Sequence, residues 1–295
     1  MTMNERYGMD GDADDFFSIF HDVPDAEWLE ILKRSVTERV IKGIRFPDFP
    51  PDALQSQFVG SANENALDEA YGFFSELKKH AALLDVPVQR NSRVLDFGCG
   101  WGRYLRFFWK DVQVSGIFGV DIDPDILSVC HNTKVPGQLS RILPTGSLPF
   151  ADGFFSHIMA YSVFTHLPEP IHLHWMEEIA RVIQPGGTFT LTLEPRRFLN
   201  FVAEQGKNSS LSEWHKAMAK YAASVPDFLK AFDEGKLVYL PTGGGNHRDS
   251  DVYGDAAVPL SFIKEHWGRH FDIVEYIDDA QKFWQAVLVV RRRAD

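Results

Sequence analysis

The chain has 295 residues, 44% hydrophobic and 24% charged, the make-up of a globular protein with room for one large domain or two small ones. Its 30 Lys and Arg face 41 Asp and Glu, and the resulting formal charge of −11 opposes nucleic acid and anionic membranes as partners. Cys99 and Cys130, the two cysteines, make no disulfide framework, and neither has the CxxC or Cys/His neighbour of a metal site. The start, MTMNERYGMDGDADD, is acidic where a signal peptide needs a basic end and an apolar stretch. No apolar run approaches the roughly 20 residues of a membrane helix. A soluble, reducing, cytoplasmic setting is expected, with self-association left open.

From Asp25, the residues Trp28, Leu32, Val36 and Val40 recur every four positions and predict one amphipathic helix, stopped by the FPDFPP stretch at 46–51. A second helix is expected with Leu67, Ala70, Tyr71, Phe74, Leu77, Ala81 and Leu84 on one face, ending at Val86-Pro87. From residue 92 short apolar runs alternate with helical stretches. Strands are expected at 93–97, 116–121, 139–143, 155–161 and 187–193, with helices near 102–109, 124–131 and 170–183. That alternation predicts an α/β fold with a parallel sheet covered on both faces. Residues 196–257 interrupt it with helical patterning (Leu211, Trp214, Met218, Tyr221) and a turn, TGGGNHRDSD; a helix at 259–267 and strands at 271–277 and 284–291 follow. The expected organisation is an acidic tail and helical cap over 1–90, then an α/β domain over 91–295 with a lid insertion at about 196–257.

The informative segment is Arg93-Val-Leu-Asp-Phe-Gly-Cys-Gly-Trp-Gly-Arg103. A buried strand ends in three glycines, 98, 100 and 102, which permit positive φ and let a ligand approach the backbone before a helix begins. The next strand closes on Asp121, 25 residues after Asp96. In a βαβ unit an acid at that place sits beside the first turn and accepts both hydroxyls of a ribose. The spacing is GxGxG, whereas a dinucleotide fingerprint reads GxGxxG to seat a pyrophosphate.

At this point the sequence resembles the class I S-adenosylmethionine-dependent methyltransferases. VLDFGCGWGR resembles the family's first motif and GVDIDPDIL its second; GSLPFADGFFSHIMAYSVFTHL and RVIQPGGTFTLT follow in the family's order, and the 271–291 pair is similar to its terminal hairpin. The resemblance implies a Rossmann-like, seven-stranded, mostly parallel sheet with helices on both faces, plus the helical cap, and S-adenosylmethionine as cofactor. It also implies that Asp96 and the backbone of Gly98 and Gly100 face the methionine portion and that Asp121 holds the ribose. Ile122 then packs on adenine, Ser147 and Leu148 meet its edge through backbone groups, and Tyr161 and Ser162 border the methyl donor. The acid the family often has four residues before the Leu of LPF is replaced here by Pro144.

Methyl transfer from a sulfonium is an in-line displacement, in which a positioned base helps a hydroxyl or ammonium acceptor. His166, after the fourth strand, and Glu194, ending the fifth, are the catalytic candidates. Arg196 and Arg197 would suit an anionic acceptor, or form a surface pair. His172 and His174, two apart on a helix, face about 200° from each other and are no metal pair. His247 with Asp249 and Asp251 fits a polar loop better than a cation site, so no metal is expected. Trp101 packs either at the cofactor mouth or on a neighbouring helix, and Cys99 is a small core residue. Most aromatics of the cap and insertion are expected in its core, with Tyr71 and Tyr253 as the pocket-facing candidates for a small-molecule substrate. A non-catalytic cofactor-binding protein and a nicotinamide-dependent oxidoreductase are the alternatives.

Overall fold

Residues 13–207, 212–244 and 248–294 are described by a computed structural model of the chain. Most of the acidic start, together with Leu211 and His247, lies outside these residues. Contacts divide the chain into two compact units: one runs up to Ile142 and takes in Phe155–Ile158, and the other comprises Leu143–Phe154 and everything from Met159.

In the first unit, helix α1 (Ala13–Phe20) is followed by α2 (Asp25–Arg34), with Asp25 and Glu27 in its first turn and Lys33 and Arg34 in its last, charges that complement the helix dipole. The helix expected through Val40 stops at Arg34, where the Ser35 hydroxyl turns back to the Leu32 carbonyl at 2.6 Å. Val40 instead opens a hairpin of β1 (Val40–Ile41) and β2 (Ile44–Arg45). Lys42 and Gly43 between them take φ 50° and 80°, the left-handed pair that a two-residue hairpin turn requires. The prolines at 50 and 51 therefore lead into a helix, α3 (Asp52–Val59), rather than ending one. Helix α4 (Asn63–Leu83) buries Ala66, Leu67, Ala70, Phe73, Phe74 and Leu77 as its pattern requires, while Tyr71 is only half-buried. Phe16 stacks on Trp109 at 4.0 Å, and Trp28 donates its indole N–H to the Phe107 carbonyl at 3.1 Å, so the N-terminal helices share an aromatic core with the residues after the glycine turn.

The same unit holds β3 (Val94–Phe97), α5 (Arg103–Phe108), β4 (Ile117–Asp121), α6 (Pro124–Asn132) and β5 (Gln138–Arg141). β3 pairs with β4 and β4 with β5, both parallel, so Asp96 lies across from Gly119 and Asp121 from Arg141. Every residue of β3 and β4 is buried, as expected of central parallel strands, whereas β5 exposes its ends.

β6 (Phe155–Ala160) ends in the second unit, which continues with α7 (Glu169–Val182) and β7 (Ile183–Leu193). The insertion builds α8 (Arg196–Gln205), α9 (Glu213–Ala219), α10 (Val225–Asp233), β8 (Val238–Leu240) and β9 (Asp255–Ala257) around Phe198, Leu199, Val202, Met218 and Leu240. After α11 (Leu260–Trp267), β10 (Phe271–Ile277) and β11 (Ala286–Arg292) form an antiparallel hairpin, and β11 pairs antiparallel with β7. The seven strands run in the order β10-β11-β7-β6-β3-β4-β5, a mostly parallel, Rossmann-like sheet with helices around it.

Candidate functional site: a glycine cradle and a histidine network

Gly98, Gly100 and Gly102 all take positive φ, 79°, 50° and 79°. Gly102 has no alternative, since a Cβ there would lie 2.5 Å from Val135 Cγ1. The N–H groups of Gly98 and Cys99 both donate to the Val120 carbonyl, at 2.8 and 3.0 Å, which fastens the turn onto β4. Asp121 completes the fastening, because its two oxygens accept the N–H of Gly100 at 2.9 Å and of Asp123 at 3.0 Å. Asp96 is 1% exposed, and its Oδ2 has no hydrogen-bond partner among the described residues. Burial first, and the neighbouring Asp121 charge second, push its carboxyl up to about 8, against the opposing pull of Arg103. Phe58 of α3 lies over the turn, close enough that a Cβ on Gly100 would touch its ring at 3.4 Å. Trp101 is buried with Phe49, Ala66 and Ile126, which decides for packing on neighbouring helices. Cys99 is a core residue, and the Cys130 thiol caps the Gly100 carbonyl at 3.1 Å.

In the second unit the chain leaves β6 through Tyr161 and Ser162, and Ser162 takes φ +57°, a conformation a non-glycine residue holds only under constraint. Its N–H donates to Thr192 Oγ1 at 2.7 Å, and its hydroxyl accepts from Gln285 Nε2 at 2.9 Å and lies 3.4 Å from His166 Nε2. His166 Nδ1 is 2.6 Å from the Gly254 carbonyl. A carbonyl only accepts, so Nδ1 carries the proton and Nε2 keeps its lone pair toward Ser162. Asp255 Oδ1 stands 3.6 Å from Nδ1 and is itself held by Trp214 Nε1 at 3.3 Å, while its other oxygen accepts the Thr242 hydroxyl at 2.5 Å. Tyr253 stacks on the imidazole at 4.5 Å and 15°. Burial lowers the His166 pKa despite Asp255 and the Gly254 carbonyl, so the ring is neutral near pH 7. Glu194 is 5% exposed; Oε1 accepts from Gln285 at 3.1 Å and Oε2 has no partner among the described residues. Burial pushes its carboxyl up to about 8, opposed by the Gln285 hydrogen bond and aided by Asp255.

The insertion is stitched to these strand ends, which explains the assembly. Gly254 N–H donates to the His166 carbonyl, Ala256 N–H to Thr165 and Val258 N–H to Glu194, at 2.7 to 3.0 Å. The structure thus brings His166, Ser162, Glu194 and Tyr253 into one neighbourhood of the second unit, and Asp96, Gly98, Gly100 and Asp121 into one of the first. Ile122 is half-buried after β4, and Tyr71 lies on α4.

Several expectations change. Leu148 does not offer its backbone N–H to a ligand, since it donates to Glu178 at 2.7 Å, while its carbonyl accepts from Arg181 at 3.0 Å. Ser147 beside it is exposed. Arg196 pairs with Asp233, and Arg197 pairs with Asp278 and holds the Phe283 and Trp284 carbonyls, so both cations are engaged. His172 is buried among Phe164, Phe262 and Trp267, while His174 reaches the Gly146 carbonyl. Asp255, Gln285 and Thr242 were missed. A polar residue heading an apolar run, as in Asp255-Ala-Ala-Val and Gln285-Ala-Val-Leu-Val-Val, was the available signal. Among the described residues no group of three or more His, Cys, Asp or Glu is placed to hold a metal, and no helix is long and apolar enough to cross a membrane.

Fold and turn together define a nucleoside-binding α/β domain. Residues 95–191 match the family model of a methyltransferase domain. The chain is 31% identical over 150 residues to the tRNA (carboxymethyluridine(34)-5-O)-methyltransferase of Arabidopsis thaliana, covering 50% of this chain and a third (33%) of that protein's length. It is 26% identical over 265 residues to Methyltransferase GfsG of Streptomyces halstedii, covering 84% and 87% of the two chains. Trans-aconitate 2-methyltransferase of Rhizobium rhizogenes is 27% identical over 203 residues, covering 57% and 78%. The fold is shared with an S-adenosylmethionine-dependent methyltransferase from Clostridium acetobutylicum at a TM-score of 0.50 and 12% identity, over 77% of this chain and 92% of that one. Residues 95–191 therefore carry a methyltransferase domain, and S-adenosylmethionine is the cofactor that domain implies. The cradle suits it: the buried Asp96 oxygen, without a partner among the described residues, could accept from the cofactor's ammonium group.

Proposed function

We propose that the chain transfers the methyl group of S-adenosylmethionine to a hydroxyl of a small molecule, with His166 as the general base. The observation that carries this reading is the Gly254 carbonyl at 2.6 Å from His166 Nδ1, which leaves Nε2 as the proton acceptor. When bound, the cofactor supplies an electrophilic methyl on a sulfonium. Asp96 and the Gly98 and Gly100 backbone hold its methionine portion, Asp121 the ribose, Ile122 an adenine face and Ser147 the adenine edge, while Tyr161 and Ser162 border the methyl donor. His166 Nε2 takes the acceptor's proton as the oxygen–methyl bond forms and the sulfur–methyl bond breaks. Asp255, 3.6 Å from Nδ1, steadies the imidazolium so formed. Glu194, neutral at pH 7, and Tyr253 contact the acceptor, with the 196–257 insertion closing over it. The formal charge of −11 favours a small acceptor over nucleic acid.

The test offers methyl-labelled S-adenosylmethionine and the full chain separate pools of phenols and alcohols, carboxylic acids, amines, and bulk tRNA. Label in an ether product is expected. Label in tRNA overturns the small-molecule acceptor, and label in an ester, amine or carbon–methyl product overturns the hydroxyl. Cofactor binding with no transfer to any pool leaves a non-catalytic binding protein.

A further inference from the structure

Two large rings of the second unit stand open to solvent: Trp214 is 38% exposed and Trp284 55%. They flank Phe201 of α8, Trp214 near-parallel to it at 5.5 Å and 24°, Trp284 edge-on at 5.1 Å and 86°. An exposed tryptophan is ordinarily a loose surface ring, but these two are tied down. Arg197, four residues before Phe201, donates to the carbonyls of Phe283 and Trp284 at 2.9 and 2.7 Å and pairs with Asp278. Trp214 Nε1 is bonded to Asp255, the residue beside His166. Trp284 directly precedes Gln285, which donates to Ser162 and to Glu194. Each open ring is thus joined through one bonded residue to the His166 network, where Glu194 Oε2 and Gln285 Oε1 are buried without a partner among the described residues. Such oxygens lack a donor, which the hydroxyl of a small molecule can supply and the broad face of a folded partner cannot.

We propose that Phe201, Trp214 and Trp284 form a platform for the ring of a planar, hydroxylated aromatic acceptor, whose hydroxyl end reaches the His166 network. This rests on the reading of the chain as a hydroxyl methyltransferase and adds the class of acceptor. Stacking geometry supplies preference for a flat ring over an aliphatic one of equal size.

The test titrates 2-naphthol and its saturated analogue, decahydro-2-naphthol, into the full chain saturated with S-adenosylhomocysteine. Saturable binding of 2-naphthol, tighter than that of the saturated analogue, is expected. Trp284→Ala is expected to weaken it by roughly five- to tenfold and Trp284→Phe to restore most of the loss, with the S-adenosylhomocysteine affinity unchanged. Trp284 lies outside the core, so Trp284→Ala is not expected to impair folding; Trp214→Phe is the second variant, expected to weaken binding less. Absence of saturable 2-naphthol binding, or equal affinity in wild type and Trp284→Ala, overturns the platform. So does a Trp284→Ala protein that changes its sedimentation coefficient while binding 2-naphthol unaltered, which makes the patch a protein contact. Normal 2-naphthol binding with no methyl transfer to any hydroxyl leaves the platform standing and overturns the activity.

Discussion

The glycine cradle of the first unit and the histidine network of the second solve similar problems by different means. The cradle is made from the contiguous stretch 96–102 and one residue, Asp121, and is held by backbone amides folding onto Val120 and Asp121. The network gathers Ser162, His166, Glu194, Trp214, Thr242, Asp255 and Gln285 from six separate segments and is held mainly by side chains, with the Gly254 carbonyl on His166. Each contains one buried acid raised to about 8 with an oxygen that has no partner among the described residues, Asp96 in the first and Glu194 in the second. Such a group costs free energy until a ligand supplies the missing donor. A site built from contiguous backbone leaves a compact motif in the sequence, and one gathered from distant side chains does not, which is why only the cradle has one.

The sharpest way to break this division is at His166. His166→Asn is expected to lower kcat by about 10²- to 10⁴-fold, with cofactor affinity unchanged, measured once an acceptor is in hand. With His166 as the proposed base, kcat in the wild type should hold between pH 6.5 and 7.5, fall in more acid solution as the imidazole protonates, and change again near pH 8 as Glu194 ionises. Asp121→Ala is expected to weaken cofactor binding by about a hundredfold by calorimetry, the worth of two hydrogen bonds to a charged group.

His172 gives a control that touches neither site. Burial among aromatic rings lowers its pKa to about 3, so the folded chain holds it neutral while the unfolded chain protonates near 6.5. Its stability contribution is full above pH 6.5 and drains away as pH falls toward 3. His172→Phe is therefore expected to gain roughly 2 kcal/mol more at pH 5 than at pH 7.5 in denaturant titrations.

Asp96→Asn separates binding from stability. Cofactor affinity should fall by about tenfold, while the ligand-free chain becomes more stable. The sign follows from a raised carboxyl: the cost is absent below the ordinary 3.8, grows as pH rises toward 8 and stays constant above it. The variant's advantage in denaturant midpoint should thus be larger at pH 8.5 than at pH 5. The wild type at pH 7 should release about one proton on binding the cofactor, seen as a buffer-dependent heat, and the variant none.

Much of the sheet was legible from the alternation of apolar runs, since strands β3, β4 and β10 fall within a residue of expectation. The α2 overrun shows the limit: Val36 and Val40 keep the four-residue spacing of Trp28 and Leu32, but Lys42-Gly43 takes a left-handed turn that periodicity does not register. His166 and Glu194 were readable as residues at strand ends. Asp255 and Gln285 were not, because nothing local says that a residue 89 positions after His166, or 123 after Ser162, will return beside it. Leu148 failed for a related reason, as its donor is taken by Glu178 from a helix the motif does not include.

The most direct test is to titrate S-adenosylmethionine into wild type, Asp96→Asn and His166→Asn side by side, following heat and thermal unfolding. Cofactor and acceptor duties divided between the two neighbourhoods predict weakened binding in Asp96→Asn alone, with His166→Asn matching wild type in affinity and in the unfolding shift. Equal weakening in both variants, or in His166→Asn alone, would contradict that division.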